Sequence, residues 1–298
     1  MNGHSFLDRF TTAIPSLFMW KNGYFARSLE TPSFNEWKEM MQTGPLKIPK
    51  SGNIQEISMD TPEGHFNPAI MCYQWKGNDF PTIIYHHGNN ERPFDFSRGA
   101  KNIFPGIFKP EISSKNINIL IIRAAFHDKK LKDYMQRIRH LKDFTGMLMA
   151  SVCVAEMAWK TLKKRGSQPL LLTGISLGAW VTNLHRTYFN SMDSYIPVLG
   201  GAALDQLFLS SAYRKMTARK ARNKPEYLRE KLNFEKDFAQ VESDNCYPLL
   251  GRYDQYIQYE KQVVSYGNIP VEVIPKGHLT AIMQPAGIKQ HLLKHLPV

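Results

Sequence analysis

The sequence is poor in cysteine, and the three it has, Cys72, Cys153 and Cys246, lie far apart. With an odd count and no Cys-x-x-Cys spacing, neither a disulfide framework nor a zinc ribbon is expected. A reduced, cytoplasmic setting is the simplest expectation. Long apolar runs are missing too. The longest, residues 147–159, is broken by Ser151 and Glu156 and falls short of the roughly 20 residues that a membrane-spanning helix needs. Residues 1–9 lack the basic start and extended apolar stretch of a secretion signal. There is no internal repeat and no low-complexity tract, so solenoids and propellers are not expected.

What is present is ordinary for a globular chain. Of 298 residues, 43% are apolar and 21% charged, which argues against disorder. A chain of roughly this length buries about three quarters of its unfolded surface and can sustain a sizeable core. The net charge is +12. Such a field suits polyanions, anionic membranes or acidic substrates, but it specifies no chemistry. Lysines and arginines are spread over several segments without a recognition motif, so no nucleic-acid partner is expected.

Residues 1–50 stand apart as a helical extension. Phe6, Phe10, Ile14 and Leu17 recur at helical spacing, with Phe18, Met19 and Trp20 close behind. That stripe either packs on the chain's own domain or adsorbs to a membrane interface as a peripheral contact. Residues 51–298 read as one α/β domain. Apolar runs at 54–59 and 69–75 flank the turn Thr61-Pro62-Glu63-Gly64 and suggest an antiparallel hairpin. Further candidate strands fall at 81–86, 117–123, 170–173, 196–199, 246–250 and 271–274. The run Ile117-Asn-Ile-Leu-Ile-Ile-Arg123 is dense in β-branched residues, as an interior parallel strand should be. Residues 143–165 and 177–189 read as helices, and strands alternating with helices imply a mostly parallel eight-stranded sheet covered on both faces. Residues 205–244 are helical in composition and too long for a plain connection, which fits a cap. Arg214, Lys215, Arg219, Lys220, Arg222 and Lys224 make its middle basic. They are either a solvated helix surface or a contact for an anionic group on the substrate or a lipid headgroup.

The most informative string is Leu170-Leu-Leu-Thr-Gly174-Ile-Ser176-Leu-Gly178-Ala-Trp. A Gly-x-Ser-x-Gly sequence that follows an apolar strand and opens a helix is a nucleophile elbow. The turn forces the serine into strained backbone and brings neighbouring turns together, so only small residues fit two positions before and after it. Asp254 follows the seventh candidate strand and His278 follows the eighth. Their order is Ser, Asp, His, each coupled to a strand end. Asp205, just after the sixth strand, is the rival acid.

On these residues the sequence resembles the α/β-hydrolase superfamily over about residues 54–298. The resemblance implies a serine nucleophile, Ser176, a general base, His278, and a carboxylate, Asp254, that orients the imidazole. It also implies an oxyanion hole formed by the backbone N–H of Leu177 and of the residue after Gly88, which is Asn89, with Asn90 as the other candidate. The implied reaction is cleavage of a carboxylic ester, a lipid ester or a thioester, with no cofactor and no metal. Peptidases and acyltransferases share the scaffold, as does a non-catalytic binding protein. Among the other histidines, His86 and His87 alternate along a strand and should face opposite ways. His127-Asp128 either lines the site or caps the next helix, the cap being the preferred reading, and His291 and His295 read as surface residues of a final helix.

Overall fold

The computed structural model describes Asp8 and residues 23–41, 43–166 and 169–296. Its strands are β1 (Ile54–Glu56), β2 (Met59–Thr61), β3 (Gly64–Phe66), β4 (Ala69–Gln74), β5 (Thr82–His86), β6 (Asn118–Arg123), β7 (Leu170–Ile175), β8 (Ser194–Val198), β9 (Leu249–Gly251) and β10 (Glu272–Ile274). Eight of them form one sheet in the order β1-β4-β6-β5-β7-β8-β9-β10. β4 runs antiparallel to both β1 and β6, and every pairing from β6 to β10 is parallel.

The apolar residues of the central strands explain the layering. Side chains alternate across a strand, so Ile84, Leu120, Ile122, Leu170 and Leu172 enter one core. Ile83, Tyr85, Ile119, Ile121 and Leu171 enter the other. The long helix Leu141–Lys164 and the helix Leu177–Tyr188 cover the first face, while Phe104–Phe108 and Ala286–His295 cover the second. Tyr24, Phe25, Phe34, Trp37, Leu46 and Ile48 belong to the first core, and the Trp37 indole donates to Thr145 Oγ1 of the long helix at 3.0 Å. The stripe Phe6, Phe10, Ile14, Leu17 and its neighbours lie outside the described residues. Among the described residues no helix is long and apolar enough to cross a membrane.

Two expectations about local structure are corrected. β1 pairs with β4 as foreseen, but the turn at 61–64 closes a separate hairpin, β2 with β3. Thr61 Oγ1 accepts from the Gly64 amide at 3.2 Å and donates to its carbonyl at 2.9 Å, so this turn is satisfied within itself. His291 is not a surface residue. Ile288, His291 and Leu292 share the inner face of the last helix, and His291 is 1% exposed.

Between β8 and β9 the chain forms the expected helical insertion. Its pieces are Leu204–Leu209, a 3₁₀ turn Ala212–Met216, Arg219–Arg222, Pro225–Leu232 and Glu235–Ala239. Arg214, Lys215, Arg219, Lys220 and Lys224 are exposed there, with Arg222 half-buried.

Candidate active site

β7 ends in the elbow. Ser176 sits at φ 56°, ψ −107°, left-handed backbone that side chains rarely adopt, and opens the helix Leu177–Tyr188. The two glycines permit that turn. A Cβ on Gly174 would lie 2.3 Å from the Gly178 carbonyl oxygen, and one on Gly178 would lie 2.3 Å from the His86 carbonyl oxygen. Parallel register places His86 opposite Gly174, which carries the turn after β5 to the side of the serine.

Three remote side chains meet here. His278 Nε2 lies 3.0 Å from Ser176 Oγ, and His278 Nδ1 lies 2.7 Å from Asp254 Oδ2. The other Asp254 oxygen accepts from the amides of Tyr256 and Ile257, both at 2.8 Å. Burial raises the Asp254 pKa, and the His278 imidazole opposes that rise. Donors on both oxygens keep the carboxylate ionised, since a neutral carboxyl would aim its own O–H at one of them. Burial disfavours the His278 imidazolium, but the charges of Asp254 and Asp8 outweigh it and leave the pKa raised.

The rival acid is elsewhere. Asp205 is fully buried and takes hydrogen bonds from Gln206 at 2.7 Å and Asn233 at 2.9 Å, with Arg229 at 3.8 Å. Its surroundings raise its pKa through burial. It holds the insertion together and does not reach His278.

Sequence reasoning missed Asp8. Its side chain is buried, and one oxygen accepts from the amides of Gln255 at 3.1 Å and His278 at 2.9 Å. The other accepts from Leu279 at 3.0 Å. One carboxylate thereby ties the loop that bears Asp254 to the start of the helix that bears His278. No short motif marks such a residue, because its partners are backbone amides about 250 or more positions away in sequence.

The turn after β5 is built from neutral histidines. His86 and His87 do not diverge: their rings stack at 4.8 Å, because β5 ends at His86 and strand alternation stops there. Each Nδ1 bonds a backbone carbonyl, and His87 Nε2 accepts from the Ala124 amide at 3.0 Å. His127 caps no helix. The next helix, Leu131–Arg137, begins after Lys130 without a side-chain cap, and His127 Nε2 instead accepts from the Asn90 amide at 3.4 Å. Burial pushes His86 down to about 3 and His127 to about 4, and holds His87 well below its usual value. Glu91, also missed in the sequence, accepts from the amides of Gly88 at 2.8 Å and Ile103 at 3.0 Å, and burial lifts its pKa to about 7. With the Asn90 amide engaged by His127, Asn89 and Leu177 line the pocket around Ser176. The Asn89 side chain is fixed between Tyr24 Oη at 3.1 Å and Tyr134 Oη at 2.6 Å.

An aromatic ceiling lines the site. Tyr24, Phe144, Trp180, Phe208, Tyr213 and Tyr256 surround Ser176 and leave about 20 Å³ of open space. A cleft of about 1530 Å³ lies at the opposite end of the sheet, lined from residues 235–247 and 264–272 and from the last helix.

No family model matches the chain, and no curated protein matches it in sequence. Solved structures do match in shape. Acetyl xylan esterase 1 from Thermoanaerobacterium sp. aligns over 86% of this chain and 91% of its own, at 12% identity and a TM-score of 0.53. Est1E from Butyrivibrio proteoclasticus aligns over 80% and 98%, at 15% identity and a TM-score of 0.51. The fold is that of the α/β-hydrolases. Acylaminoacyl peptidase from Pyrococcus horikoshii shares this hydrolase fold at 14% identity and a TM-score of 0.51, over 81% of this chain. The present chain spans only 40% of that peptidase's length.

Proposed function

We propose that the chain is a serine hydrolase that cleaves carboxylic esters of small acyl groups through an acyl-serine intermediate. The observation that carries this reading is the relay from Asp254 through His278 to Ser176, at 2.7 and 3.0 Å, on a serine held in left-handed backbone.

The steps follow from the geometry. Ser176 Oγ attacks the carbonyl carbon while its proton passes to His278 Nε2. Asp254 keeps the other ring proton on Nδ1 and stabilises the imidazolium. The developing oxyanion meets the amides of Leu177 and Asn89, and losing one such donor costs about 3–4 kcal/mol. The alcohol leaves with the proton from His278, and water repeats the sequence to release the acid.

The aromatic ceiling sets the substrate size. About 20 Å³ accommodates little more than a water or a methyl group, which suits acetyl esters and disfavours long lipid chains. Nitrophenyl acetate and octanoate distinguish these, with Ser176→Ala as the control. We expect kcat/KM for acetate to exceed that for octanoate by about a hundredfold, as roughly 1–3 kcal/mol of misfit at the pocket would give. The serine variant should lose both activities. Equal rates, or turnover that survives Ser176→Ala, would overturn the reading. Peptide cleavage is the second reading, because the same relay attacks amides. Faster turnover of an N-acyl amino-acid anilide than of the ester would favour it.

A further inference from the structure

At the end of the sheet away from Ser176, three side chains converge on the wall of the large cleft. Glu272 is the first residue of β10, and His291 and His295 lie one turn apart on the last helix. Their ligand atoms all fall within 4.8 Å of one another. Spacing of i, i+4 puts both imidazoles on one helix face, and β10 brings the carboxylate against them.

The protonation pattern at His291 is the telling feature. Its Nε2 lies 2.9 Å from the Tyr247 carbonyl oxygen, which can only accept, so Nε2 carries the proton. Nδ1 of the neutral ring then presents a lone pair, and it faces a Glu272 carboxylate oxygen at 3.1 Å. Nδ1 is buried and has no partner other than that carboxylate. Two acceptors this close repel unless positive charge lies between them, as a second proton on the ring or as a cation held by both. Lys294 Nζ reaches the same Glu272 oxygen at 2.9 Å, yet its side chain is 65% exposed and gives Nδ1 no partner.

We propose that Glu272, His291 and His295 bind one zinc ion, with the fourth position open to water in the cleft. Two imidazoles, one carboxylate and a water are a common zinc set. Bonds near 2.0 Å place neighbouring ligand atoms of a tetrahedral site about 3.3 Å apart, close to the 3.1 Å between His291 and Glu272. The proton that His291 gives to a backbone carbonyl is the outer hydrogen bond that orients a ligating imidazole. The ring of Tyr247 stacks on His295 at 4.3 Å and holds the second ligand in place. Bound zinc pins the last helix to β10, the strand that leads to His278.

Titrating the chelator-treated full chain with zinc chloride, by calorimetry and by thermal unfolding, tests this site. We expect one ion per chain with a dissociation constant in the micromolar range or tighter. Saturating zinc should raise the unfolding midpoint by about 5 °C. Glu272→Gln and His295→Ala, at half-buried positions, should each weaken binding at least about tenfold and remove the rise. Because His278 is a competing ligand, His278→Ala should keep both. The proposal is overturned if the wild type binds no zinc, or if Glu272→Gln and His295→Ala bind as the wild type does. It is equally overturned if His278→Ala abolishes binding. His291 and Glu272 would then be an imidazolium–carboxylate pair.

Discussion

Asp8 has both oxygens committed to amides that flank the acid and the base, and its charge raises the His278 pKa. The base works as a neutral imidazole, so activity climbs as pH rises through the His278 pKa. Asp8→Asn lowers that pKa, and the rising limb of kcat/KM against pH should move to lower pH. Losing hydrogen bonds to a buried carboxylate should also cost about 1–3 kcal/mol of stability, read by urea unfolding. An unmoved limb would reduce Asp8 to a structural role. Ser176 and His278 were legible at this scale because their flanks are local. Asp254 and Asp205 were both legible as candidates, and only packing separated them. Asp205 is enclosed by Asn233 and Gln206, partners that spacing along the chain does not reveal. Asp8 and Glu91 were illegible, since backbone amides hold both.

Among the elements, the strand–elbow–helix unit carries the tightest constraint. Gly178→Ala would drive a methyl group into the His86 carbonyl at 2.3 Å, and backbone can yield only by displacing the turn after β5. Overpacking of this kind should cost about 2–3 kcal/mol and remove ester turnover even in the folded fraction. Urea unfolding and nitrophenyl acetate turnover measure the two effects, and a fully active variant would contradict the close approach described here. The eight strands and the two principal helices were readable from periodicity. The separate β2–β3 hairpin was not, because a turn motif names the bend but not its partners. His127 misled for a related reason: a polar residue before a helix is a cap by pattern, yet here its ring turns inward to the Asn90 amide.

For the molecule as a whole, two cores flank one sheet and position residues more than a hundred apart in sequence on a single relay. The fold class was legible because hydrophobic alternation and element order are encoded along the chain. The aromatic ceiling was not, because Tyr24, Phe208 and Tyr213 meet only after the amino-terminal segment and the insertion dock together. Of the insertion's cations, Arg214, Lys215, Arg219, Lys220 and Lys224 are exposed and Arg222 is half-buried. The central claim is that Asp254, His278 and Ser176 act as one unit, and the rate and site of fluorophosphonate labelling test it most directly. The account predicts a single adduct on Ser176, labelling slowed by roughly 10³-fold or more in Asp254→Asn, and a wild-type rate in folded Asp205→Asn. An adduct on another residue, or an Asp254→Asn chain that labels as fast as the wild type, would contradict it.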